Sequence, residues 1–158
     1  MRQVLAVLMI VGLLALTPSA HAVNVEKVVS SGGISAWLVR DHYNPIINMR
    51  IAFRGGAALD PVGKGGLANM VSALLVEGAG NLDSTTFRQT LEDKAIRLRF
   101  DTGKDTFGGQ LQTLTRNRDE AFRLFKLAIT KPRFDVETLA RIRAQILVEI
   151  KQEKEDLN

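Results

Sequence analysis

Apolar and polar positions alternate weakly over Val25–Val29 and again over Ile34–Val39, with Ser31-Gly32-Gly33 between them as a turn signal. The pattern predicts a β-hairpin. After a loop from Asp41 to Pro45, Ile47, Met49, Ile51 and Phe53 recur at every second position, which predicts a strand with one buried face, ended by Arg54-Gly55-Gly56. The period then changes. Leu67, Met70, Val71, Leu74 and Leu75 fall at helical spacing, behind a breaker-rich loop from Asp60 to Gly66, and Gly78-Ala79-Gly80 stops the helix.

Asp83-Ser84-Thr85-Thr86 supplies capping residues for a second helix to about Lys94. Two strands follow, Ile96–Asp101 and Thr106–Thr113, joined by a turn at residues 102–105. In the first of them Arg97, Arg99 and Asp101 alternate with Leu98 and Phe100, the mark of a half-buried strand. Asn117 or Asp119 caps a third helix through Ile129, ended at Lys131-Pro132. A long helix over Asp135–Asp156 carries the stripe Val136, Leu139, Ile142, Ile146 and Ile150. The order ββ–β–α–α–β–β–α–α predicts an α+β domain, an antiparallel sheet with helices packed on one face.

The first residues do not belong to this pattern. Arg2, the apolar run Val4–Leu16 and Ala20-His21-Ala22 read as the charged, apolar and cleavage regions of a secretory signal over residues 1–22. That predicts export to a periplasm or to the outside, and a mature domain over residues 23–158. The run is far short of the ~20 apolar residues of a membrane span, and no other segment approaches that length, so the chain is not expected to be membrane-embedded. The last helix runs almost to residue 158 with neither a cap nor a following strand. We therefore expect the domain to be the N-terminal part of a longer protein, truncated at its C-terminus.

Charge and composition narrow the chemistry. The net charge of +4 is interspersed, without a basic block interleaved with aromatics, so no nucleic-acid partner is expected. There is no cysteine, which removes thiolate ligands and nucleophiles. His21 leaves with the signal, and His42, beside Asp41 and Tyr43, is then the one histidine. Gly63-Lys64-Gly65-Gly66 lacks the spacing of a phosphate-binding loop and reads as a tight entry into the helix. Ser84, Thr85 and Thr86 read as caps rather than nucleophiles.

The segment Gly66-Leu67-Ala68-Asn69-Met70-Val71-Ser72-Ala73, with Gly78 following, resembles the signature helix of the insulinase/mitochondrial-processing-peptidase family, peptidase family M16. There the sequence is Gly-Leu-Ala-His-x-x-Glu-His, the histidines bind zinc, and the glutamate activates a water. A third ligand, a glutamate, follows about 75 residues on. Here Glu149 stands 76 residues beyond Ala73, within Leu147-Val148-Glu149-Ile150. The order of elements over residues 25–156 is similar too. The resemblance implies the LuxS/MPP-like metallohydrolase fold.

It also implies a degenerate zinc motif. The histidines are replaced by Asn69 and Ala73 and the glutamate by Ser72, leaving Glu149 as the relic of a ligand position. Positions i, i+3 and i+4 share a helical face, so this face offers an amide, a hydroxyl and a methyl where zinc needs three good donors. Glu77, four residues beyond Ala73, adds a carboxylate suited with Glu149 only to a hard cation. The expectation is no catalytic residue and no cofactor in this chain, although the family uses zinc. The resemblance further implies a partner role, binding unstructured peptide beside a catalytic sister subunit that carries the metal. In such pairs the partner contributes an Arg/Tyr pair from its C-terminal half, which this sequence does not include. Two alternatives stay open: an active zinc metalloendopeptidase of the same family, and an envelope binding or scaffold protein.

Overall fold

A computed structural model describes residues 23–156 of the chain; the expected signal peptide, residues 1–22, lies outside the described residues. The chain divides into two units, one ending at Tyr43 and one beginning at Asn44.

The described residues of the first unit contain the expected hairpin. Strands β1 (Val25–Val29) and β2 (Ser35–Val39) pair antiparallel, with Val25 opposite Val39 and Lys27 opposite Trp37. The turn is closed by the Ser30 amide donating to the Ile34 carbonyl and the Ile34 amide donating to Ser30 Oγ. At its open end the Arg40 guanidinium binds both oxygens of Glu26, at 3.0 and 3.2 Å, and holds that carboxyl below the usual carboxylate range. Trp37 is 74 % exposed.

The second unit contains strands β3 (Ile46–Arg54), β4 (Arg97–Thr102) and β5 (Thr106–Leu114). Its helices are α1 (Leu67–Leu74), α2 (Ser84–Asp93), α3 (Arg118–Thr130) and α4 (Val136–Asp156). The strand order is β3-β5-β4, both pairings antiparallel. Strands β3 and β4 thus run parallel with β5 between them, a split crossover through α1 and α2.

Fold class and element order are as expected, but the single sheet is not. The hairpin forms a two-stranded sheet of its own, separate from the three strands of the second unit. Residue periodicity fixes which face of a strand is apolar; it carries no information on which strand lies alongside.

The core lies between one face of the three-stranded sheet and helices α1 to α3. Phe87 and Leu91 of α2, Ala121, Leu124, Phe125 and Ala128 of α3, and Leu75 just after α1 close over Phe100 and Leu111. The Phe100 and Phe125 rings stack at 5.9 Å. Ile47, Met49 and Ile51 face inward as the alternation predicts, but Phe53 is exposed, at the strand end where it pairs with half-buried Phe107.

The long helix also departs from expectation. Of its stripe only Ile142 is buried; Val136, at 85 % exposure, Leu139 and Ile150 are exposed. Helix α4 packs on α1. With a rise of 1.5 Å per residue, eight residues of α1 cover about 12 Å, whereas the 21 residues of α4 extend over about 32 Å. The shorter helix is too short to cover the longer one.

One glycine fixes the loop after β3. Gly56 has φ 142°, and a Cβ there would stand 2.5 Å from the Gly103 carbonyl oxygen. Close approach lets the Gly55, Ala57 and Ala58 amides donate to the Asp105, Gly103 and Lys104 carbonyls, so this loop clamps the β4–β5 turn.

Candidate functional site

Helix α1 is where the sequence places the chemistry, and its start is set by Asp60. Gly66, the residue before the helix, has φ 91°, a conformation that glycine adopts without strain. The Asp60 carboxylate accepts from the Gly66 amide at 2.7 Å and from the Ala68 amide at 2.9 Å. The breaker-rich loop therefore folds back so that a carboxylate of the chain meets the positive helix end. The amides that a phosphate would take are engaged, in line with reading Gly63–Gly66 as a helix entry.

The three motif positions sit differently. Asn69 is exposed, Ala73 is half-buried, and Ser72 is 5 % exposed. The Ser72 hydroxyl donates to the Asn69 carbonyl oxygen at 2.7 Å, one turn back in its own helix. Its proton is thus committed locally, and the side chain is satisfied without any ligand. Zinc does not fit this donor set. One exposed amide is a poor ligand, a methyl has no lone pair, and the hydroxyl is engaged.

Glu149 is exposed on α4, beside Ala144, Gln145 and Val148 in a shallow depression. It is seven residues beyond Ile142 and on the same helical face. Among the described residues no group of three His, Cys, Asp or Glu side chains is placed to hold a metal ion.

Glu77 has a structural occupation. Its Oε2 accepts from the Ser84 hydroxyl at 2.6 Å and from Arg141 Nη2 at 2.5 Å. The carboxylate side chain is 10 % exposed and the guanidinium side chain 42 %. One carboxylate thereby ties together the segment after α1, the first residue of α2 and the second turn of α4. Pairing Glu77 with Glu149 around a hard cation would require this node to break. Ser84 is accounted for by that bond, and Asp83 is the cap of α2, accepting from the Thr86 amide at 2.8 Å. His42 lies in the first unit, exposed, between Asp41 and Tyr43; the Tyr43 amide donates to Asp41 Oδ1. Sequence reasoning missed Arg141, because 64 residues separate it from its partner and no local pattern marks such a pair.

Comparison with known proteins places the chain among peptidase-like folds. The chain is 32 % identical over 118 residues to a protein of Helicobacter pylori named non-peptidase homolog YmxG, matching 75 % of this chain and 27 % of that protein. The crystal structure of a peptidase M16 inactive domain from Pseudomonas fluorescens superposes with a TM-score of 0.76 at 27 % identity, over 83 % of this chain and 32 % of that one. A protease from Helicobacter pylori shares the fold, with a TM-score of 0.69 at 19 % identity, over 85 % of this chain and 32 % of that one. No protein-family model matches the chain. The chain spans about a quarter to a third of the length of these proteins.

Proposed function

The chain belongs to the M16-like peptidase family, and on that premise we propose that it is an exported, non-catalytic domain that holds unstructured peptide and supports a catalytic sister chain. The observation that carries this reading is the state of α1: Ser72 is buried with its hydroxyl on the Asn69 carbonyl, and neither neighbouring motif position supplies a strong metal donor. An arrangement of this kind cannot ionise a water, so hydrolysis must come from elsewhere. The names of the relatives, a non-peptidase homologue and an inactive domain, support the same reading.

Export is proposed from the Arg2–Ala22 segment alone. No helix among the described residues is long and apolar enough to cross a membrane. The sister chain is proposed from the heterodimeric processing peptidases that the chain resembles, in which one subunit supplies zinc and the other supplies surface. The exposed length of α4 leaves polar and apolar surface available for such an association.

The experiment is co-purification from the source cell of the tagged chain, followed by metal analysis and a peptide-cleavage assay. We expect a sister subunit carrying an intact His-x-x-Glu-His helix, with zinc and cleavage activity following that subunit. Stoichiometric zinc and peptide cleavage in the isolated chain would overturn the proposal.

A further inference from the structure

The three-stranded sheet has a second face, turned away from the helices. Residues directly opposed in an antiparallel ladder point the same way. Asn48, Gln112 and Arg97 therefore form one row across β3, β5 and β4, and Arg50, Gln110 and Arg99 form the next. Arg54 lies farther along β3 on the same face, two alternations beyond Arg50. All four arginines are exposed. Arg97 Nη1 donates to Gln112 Oε1 at 3.4 Å. Among the described residues none of the four forms an ion pair. The acidic residue of this face, Asp101, lies over Gly108, its carboxylate oxygens 3.2 Å from where a Cβ would stand.

We propose that this face docks a carboxylate-rich peptide segment in extended conformation. The inference rests on the peptide-holding reading above and gives it a charge preference. Arginine is suited to the task because its planar fork takes a carboxylate through two parallel bonds. Spacing supports it: Arg97 and Arg99 are two residues apart on β4, about 7 Å, which is the repeat of alternate side chains in an extended peptide. Arg50 stands across Gln110 from Arg99, roughly 10 Å away at two strand spacings, so the two arginines flank a strip about as wide as one peptide chain. Between them the amides of Gln110 and Gln112 offer both donors and acceptors to a peptide backbone. A nucleic acid would also meet positive charge here, but the rows carry no aromatic ring on which a base could stack.

The test is fluorescence anisotropy with the full chain and labelled peptides of alternating Glu-Gly, Lys-Gly or Ser-Gly, together with a single-stranded oligonucleotide. We expect the Glu-Gly peptide to bind and the Lys-Gly peptide not to. Binding should weaken by about tenfold between low salt and 0.5 M salt. The double variant Arg97→Glu/Arg99→Glu should lose at least tenfold, while Lys126→Glu, exposed on α3, should change affinity less than twofold. Circular dichroism verifies folding, and the milder pair Arg97→Gln/Arg99→Gln, expected to lose severalfold, serves if the reversed charges prevent it. Peptide binding without charge preference would overturn this face assignment and leave peptide holding intact. Absence of binding to any peptide would overturn both. Tighter binding of the oligonucleotide, lost in the same variants, would replace the occupant and overturn the proposal.

Discussion

Arg141 and Glu77 meet across 64 residues of sequence, the guanidinium Nη2 donating to a carboxylate oxygen that the Ser84 hydroxyl also reaches. The bond joins α4 to the segment after α1, and Ile142 beside it is the buried residue of the α4 stripe. Removing one partner leaves the other charge in a site it shares with few polar groups. The guanidinium is partly solvated, so the cost is below that of a fully buried pair.

We expect Arg141→Ala to destabilise the chain by about 1–2 kcal/mol. Ser84→Ala should cost less, since Arg141 still satisfies Glu77. Urea denaturation of the single and double variants with Glu77→Gln measures the coupling, and strictly additive losses would contradict a direct interaction.

Installing a metal motif on α1 should be uneven in cost. Asn69→His changes an exposed side chain and is expected to stay within ~0.5 kcal/mol of the parent. Ser72→Glu puts a carboxylate at a position 5 % exposed and should cost more than about 2 kcal/mol. Thermal melts of the two variants compare them directly. A milder loss for Ser72→Glu than for Asn69→His would refute the burial assigned to Ser72.

Acid should weaken the cap of α2. The Thr86 amide, bonded to the Asp83 carboxylate, holds that carboxyl below its ordinary value of 3.8, with Arg133 adding a smaller pull. A folded-state value below the unfolded one means stability that is present above pH 3.8 and lost as the pH falls through the folded value. Asp83→Asn keeps a capping oxygen without the charge and should remove this part of the acid dependence. Chemical denaturation of parent and variant from pH 6 to about pH 2 tests it; parallel curves would contradict it.

Glycine substitutions should separate by position. At Gly56 an added Cβ meets the Gly103 and Thr106 carbonyl oxygens at 2.5 and 2.8 Å, whereas at Gly63 nothing lies within 4 Å. Both have positive φ, so Gly63→Ala should cost about 1 kcal/mol through conformation alone. Gly56→Ala should cost distinctly more and loosen the β4–β5 turn, seen as faster amide exchange at Gly103 and Asp105. Equal losses at the two sites would argue against the clamp.

Much of this architecture is written in local pattern. The alternation at Ile47, Met49 and Ile51 and the helical spacing from Leu67 to Leu75 name their elements because burial selects one side of each. Asp83 announces its helix because a cap acts within three residues. The rest depends on neighbours distant in sequence. Nothing near Val25 states that the hairpin forms a sheet of its own, and nothing near Val136 states that its partner helix is too short to cover it. At the candidate site, Asn69, Ser72 and Ala73 are legible by resemblance, but the burial of Ser72 is a property of packing. The contact of Glu77 with Arg141 is likewise legible only in three dimensions.

The Ser72 hydroxyl closing on its own helix has a historical consequence. A lineage gaining zinc hydrolysis here would have to change three α1 positions, and the one that must become acidic is the one enclosed by packing. Any intermediate carrying that acidic side chain would bear the penalty before any activity rewarded it. A helix of this kind therefore works as a ratchet against a metal site, because the gain in chemistry lies beyond a loss in packing.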